Sequence, residues 1–125
     1  YSERYLMPIW SMEYMTETLK TTTNIDTLQR WVLVASWIYY EANDSIVEDS
    51  FYDRTARRLV ELQKNYEGDI KDTQYGYVFY DFDGTTGFDL YHRLKDSDKI
   101  RITDIGALVV KNMRADRARK SKKGK

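Results

Sequence analysis

The chain contains no cysteine, which excludes disulfides, thiolate metal sites and cysteine nucleophiles and fits a reducing compartment such as the cytoplasm. It has one histidine, His92, so a histidine metal cluster is excluded and no metal is expected. No apolar run approaches the roughly 18 residues of a membrane-spanning helix. No secretory signal pattern is visible, and no membrane partner is expected. A single proline and six glycines in 125 residues leave few breaks in helical patterning.

What the chain has in quantity is tyrosine. Eleven Tyr and three Trp accompany a hydrophobic content of 42%, enough for one small core. Tyr buries a ring and keeps a polar tip, so these residues suit either the edge of a core or the wall of an interface or ligand site. The net charge is zero, but the charges are segregated. From Lys111 onward eight basic residues face one acid, Asp116. The body before them is acidic by the same margin.

Apolar spacing predicts a mainly α-helical, small orthogonal domain of about five helices over residues 1–113, followed by a basic, disordered tail over 114–125. Pro8 suits the first turn of a helix over residues 8–20, with Ile9, Met12, Met15 and Leu19 on one face and Trp10 and Tyr14 beside them. Asp26-Thr27-Leu28-Gln29 has the form of a capping box, so a second helix is expected from there to about Ala42. Its apolar residues Trp31, Leu33, Val34, Trp37 and Ile38 cover most faces, as in a buried central helix. Asp49 is expected as the N-cap of a third helix reaching Lys64, with Tyr52, Ala56 and Leu59 inward. Residues 73–80 are aromatic and predict a short β-like segment. Thr86 to Asp89 suits the cap of a short helix ending near Leu94. Thr103 or Asp104 begins a last helix with Ile105, Leu108, Val109 and Met113 as its apolar side.

The corner between the second and third helices holds the most chemistry. Tyr39 and Tyr40 precede a polar connector, and Asp49, Tyr52 and Asp53 follow it. Tyrosine faces attract a cationic ring at about 0.5–2 kcal/mol per good pair. Carboxylates add Coulomb attraction and accept hydrogen bonds from a sugar diol. Each residue also has a structural use, Asp49 as a cap and Tyr52 as a packing ring.

The Tyr-Tyr pair followed by Asp-x-x-Tyr-Asp resembles the N-terminal Ia domain of NAD-dependent DNA ligases over residues 33–64. The resemblance implies that Tyr39 and Tyr40 stack on or flank a nicotinamide, and that Asp49, Tyr52 and Asp53 bind its ribose and phosphate side. The ligand would be nicotinamide mononucleotide or NAD+. The pattern departs from the family in the connector, where Asn43 and Ser45 replace the usual Asp and Pro. The adenylation signature Lys-x-Asp-Gly is missing, because the only Asp-Gly, Asp83-Gly84, is preceded by Asp81. The resemblance therefore implies a stand-alone, non-catalytic Ia-like module.

Val78 to Thr85 reads like the first motif of haloacid-dehalogenase-type phosphatases, in which two aspartates and a magnesium ion transfer phosphate. The helical patterning around Asp81 and Asp83 provides no doubly wound sheet to present them, and an Asp-Gly turn is the expected reading. In the tail, Lys111, Arg114 and Arg117 recur every three residues and Arg119, Lys120, Lys122 and Lys123 follow. Such a tail suits salt-sensitive contact with a nucleic acid or an acidic protein. The alternative function is accordingly an adaptor or inhibitor, of a kind a phage would encode, that binds a host protein or nucleic acid through exposed aromatics and this tail.

Overall fold

The computed structural model describes residues 12–44, 47, 49–85 and 87–123, with side chains described from Glu17 to Arg119. The expected start of the first helix at Pro8, Ile9 and Trp10 lies outside these residues, as do the side chains of Met12, Tyr14 and Met15. The fold is mainly helical. Five α-helices are present among the described residues: α1 (Met12–Thr21), α2 (Ile25–Ser36), α3 (Asp49–Lys64), the single turn α4 (Gly76–Phe79) and α5 (Asp96–Lys123). Short 3-10 turns occupy Ile70–Asp72 and Tyr91–Arg93.

Helix α2 is central and touches both α3 and α5, while α1 lies against α3. Leu28, Val32, Leu33 and Val34 on α2, and Ile38 just beyond its end, are all buried, as the nearly all-round apolar pattern requires. The helix starts two residues earlier than a cap at Asp26 would place it. Asn24 is the N-cap, accepting from the Thr27 N–H at 3.0 Å, the ordinary role of an Asx side chain there. Asp26 and Gln29 are released from capping and reach across the fold. Asp26 accepts from the Gln74 N–H at 2.9 Å. The fully buried Gln29 donates to Thr73 Oγ1 at 2.9 Å and to Gln63 Oε1 at 3.2 Å, and accepts from the Tyr75 N–H at 3.0 Å.

Those bonds explain why residues 73–80 are not the expected β-like segment. They form a turn and helix α4, with Tyr75, Val78 and Phe79 wholly buried. A Cβ at Gly76 would overlap the Ile70 carbonyl and Lys71 Cα, so only glycine allows this close return. No strand exists among the described residues to supply a ladder, and burial in the core outweighs β propensity.

Helix α5 begins at Asp96, not at Thr103 or Asp104. Its first turn is pinned by Tyr77, whose hydroxyl donates to Asp98 Oδ2 and accepts from the Lys95 N–H. Burial and the Asp98 bond push the Tyr77 phenol up to about 12. The buried face of α5 runs through Ile102, Gly106, Val109 and Met113. Leu108, expected inward, is exposed. Gly106 lies directly on the Trp37 indole, where a Cβ would overlap the ring. The expected disorder from residue 114 is not what is found. The helix continues to Lys123, held at Asp116, which is buried and accepts from Arg119 at 2.7 Å.

Candidate functional site

The end of α2 is unusual. Residues Trp37–Glu41 form a π-helical turn, with Ala42 N–H donating to the Trp37 carbonyl at 2.9 Å. Single π turns widen a helix locally and recur at functional sites. Asn43 then adopts a left-handed φ of 52°, which asparagine tolerates better than most residues. The next N–H, from Asp44, returns to the Ile38 carbonyl at 2.9 Å, closing the helix end. The outcome is a terminus that leaves Tyr39 and Tyr40 both exposed and packed edge-to-face, with centroids 4.8 Å apart.

Across the connector, α3 brings its first turn to the same place. Asp49 is the first residue of this helix and not the cap before it. Its carboxylate still faces the positive end of the helix dipole. Asp49, Tyr52 and Asp53 occupy one face by their three- and four-residue spacing. Together with Tyr39 and Tyr40 they line a cavity of about 400 Å3. All five residues singled out in the sequence therefore share one concavity. Asp49 and Asp53 are exposed at its wall, while Tyr52 is half-buried.

The remaining wall comes from residues that the corner pattern does not contain. Gly84 and Thr85 line the cavity beside Ser36, Ala35 and Val47. The Tyr52 hydroxyl donates to the Thr85 carbonyl at 2.9 Å. Burial first, and the neighbouring Tyr40 next, push the Tyr52 phenol well above its ordinary range, so it stays a neutral donor. Ser36 Oγ is buried beside that hydroxyl without a hydrogen bond of good geometry among the described residues. Gly87 packs against two of the lining side chains, since a Cβ there would overlap Ser36 Oγ and crowd the Tyr52 hydroxyl. Phe88, exposed, meets the Tyr40 ring edge-on at 5.4 Å.

The Asp-Gly-Thr motif thus has a structural place. Asp83 accepts from the Thr85 hydroxyl at 2.7 Å and the Thr85 N–H at 3.1 Å, and these bonds hold its carboxyl below the usual range. Gly84 takes a φ of 87°, which an L side chain resists. Asp81 instead pairs with Arg93 at 2.8 Å. The turn aims the Thr85 carbonyl at Tyr52, and the turn signal was the only trace of it in the sequence. His92 pairs with Glu41 at 2.8 Å, at the end of the π turn.

The tail residues are not part of this cavity. Lys111, Arg114, Arg117 and Arg119 lie exposed on α5, with Arg114 reaching Asp44 and Arg119 reaching Asp116. Lys120, Lys122 and Lys123 belong to the same helix, with side chains outside the described ones. No group of acidic or histidine side chains is placed to hold a metal among the described residues. No helix among them is long and apolar enough to cross a membrane. No family model, curated protein or solved structure matches the chain.

Proposed function

We propose that the corner cavity binds the nicotinamide-ribose end of nicotinamide mononucleotide or NAD+, and that the chain is a non-catalytic nucleotide-binding module. The observation that supports this reading is the convergence of Tyr39, Tyr40, Asp49, Tyr52 and Asp53 on one cavity of about 400 Å3. That volume lies toward the small end of ligand sites, which span about 300–1,000 Å3, and suits a mononucleotide better than a whole dinucleotide. Two carboxylates and three tyrosines line the cavity, with no cation among the lining residues. Such a lining favours a pyridinium ring and a diol over an anion. It gives no support to a phosphate held inside, so the phosphate belongs at the mouth.

Calorimetric titration of the chain with nicotinamide mononucleotide and with NAD+ tests this, with Tyr52→Ala as control. Saturable binding that the variant loses, while keeping its helical circular dichroism, is the expected result. No heat at millimolar ligand would leave the corner as scaffold. The adaptor reading draws on the exposed bases of α5, but two of these, Arg114 and Arg119, already pair within the chain, which weakens it.

A further inference from the structure

A second and larger cavity, of about 550 Å3, lies between the end of α1 and the other face of α3. Its chemistry is the reverse of the corner's. Leu19, Phe51 and Thr55 are buried side chains in its lining. Around them stand Lys20, Arg54, Arg57 and Arg58, with Glu61 the one carboxylate among the described lining residues. Glu61 is already taken, pairing with Arg58 Nη1 at 2.9 Å.

Arg58 is anchored within the chain. Its Nη2 donates to the Thr22 carbonyl at 3.2 Å. Its Nε is buried and has no hydrogen-bond partner among the described residues. A guanidinium donates through all its N–H groups, and a buried donor left unpaired is costly. An incoming oxyanion would neutralise part of the positive charge that Lys20, Arg54 and Arg57 bring to the cavity wall. A charge run on a helix is ordinarily a solvated face. This one differs because the charges surround a concavity with an apolar lining.

We infer that this cavity is a binding site for a small organic oxyanion, a phosphate monoester or a carboxylate, carrying an apolar group that rests against Leu19 and Phe51. The oxyanion meets Arg58 and its neighbours, and the apolar group takes the space that gives the cavity its volume. The site is separate from the nicotinamide reading, since none of its lining residues lines the corner cavity.

The test is a 1H–15N NMR titration of the whole chain with phenyl phosphate, phenylacetate, inorganic phosphate and benzyl alcohol. Saturable shifts of the Lys20 and Arg54–Arg58 amides are expected with the two aromatic anions. The tighter of the two identifies the oxyanion. Inorganic phosphate should bind about tenfold more weakly for want of the buried ring. The double variant Arg54→Gln, Arg57→Gln changes only exposed side chains and should weaken the aromatic anions by about tenfold or more. Tyr52→Ala should leave these affinities unchanged. Absence of saturable shifts at millimolar concentration, equal affinity in the double variant, or equally tight binding of benzyl alcohol would each overturn the assignment.

Discussion

Helix α3 presents opposite chemistry on two of its faces. Asp49, Tyr52 and Asp53 face a cavity of carboxylates and aromatic rings, whereas Phe51, Arg54, Thr55 and Arg58 face a cavity of cations. The residues alternate along the chain, with Asp53 next to Arg54, yet the helical period sorts them by sign. Positions three and four apart share a face and adjacent positions do not. A composition with no net charge can thus hold one site suited to a cation and another suited to an anion. What differs is the support behind each. The acidic face meets a loop that hydrogen-bonds to it through Tyr52, whereas on the basic face Arg58 is tied to Glu61 and to the Thr22 carbonyl. Each cavity wall also carries one buried polar atom without a hydrogen-bond partner among the described residues, Ser36 Oγ in the first and Arg58 Nε in the second.

Phe51→Ala is the change expected to break this arrangement most. The ring is 2% exposed, and truncating such a phenylalanine costs about 3–5 kcal/mol. It would empty the lining of the basic cavity and loosen the helix that carries both faces. Urea unfolding should show that loss. Gly87→Ala acts on one side only. The added Cβ would overlap Ser36 Oγ and crowd the Tyr52 hydroxyl, an overpacking expected to cost about 1–3 kcal/mol. Nicotinamide mononucleotide binding should fall with it in calorimetry, while phenyl phosphate shifts at Arg54 and Arg58 persist. If both ligands weakened together, the two faces would not be independent. Tyr52→Phe is gentler. It retains the ring, removes the donor to Thr85 and should cost about 0.5–1.5 kcal/mol by denaturant unfolding.

The same division between local and distant contacts explains what the sequence makes legible. Helix α3 was legible to within a residue, its start falling at Asp49 and not after it, because its pattern is periodic and bounded by polar connectors. The five corner residues were legible because one short connector joins the helices that carry them. Thr85 was not, because it meets Tyr52 across 33 residues and its own segment signals only a turn. Residues 73–80 misled for a similar reason. Their aromatics suit a strand, but the groups that decide their path are Gln29 and Asp26, more than forty residues away. The helical tail was hidden by its charges. Its anchors, Asp116 and the pairing of Arg114 with Asp44, appear only once α5 is packed.

That last contact yields the smallest expected effect and asks whether α5 supports the acidic face. Arg114 joins Asp44, two residues beyond Ala42 at the close of the π turn. The Arg114 side chain is 59% exposed and that of Asp44 16% exposed, so solvent screens most of the attraction. Arg114→Gln should cost about 0.2–1 kcal/mol, the usual worth of an exposed pair. The gap between wild type and variant in urea unfolding should shrink between 0.1 M and 1 M salt, as the screening length falls from about 10 Å to about 3 Å. Asp44 does not line the corner cavity, so the affinity for nicotinamide mononucleotide should be unchanged. A drop in affinity would mean that the tail helix positions the tyrosines. An unchanged affinity means that α2, α3 and the Asp83–Thr85 turn hold the acidic face by themselves.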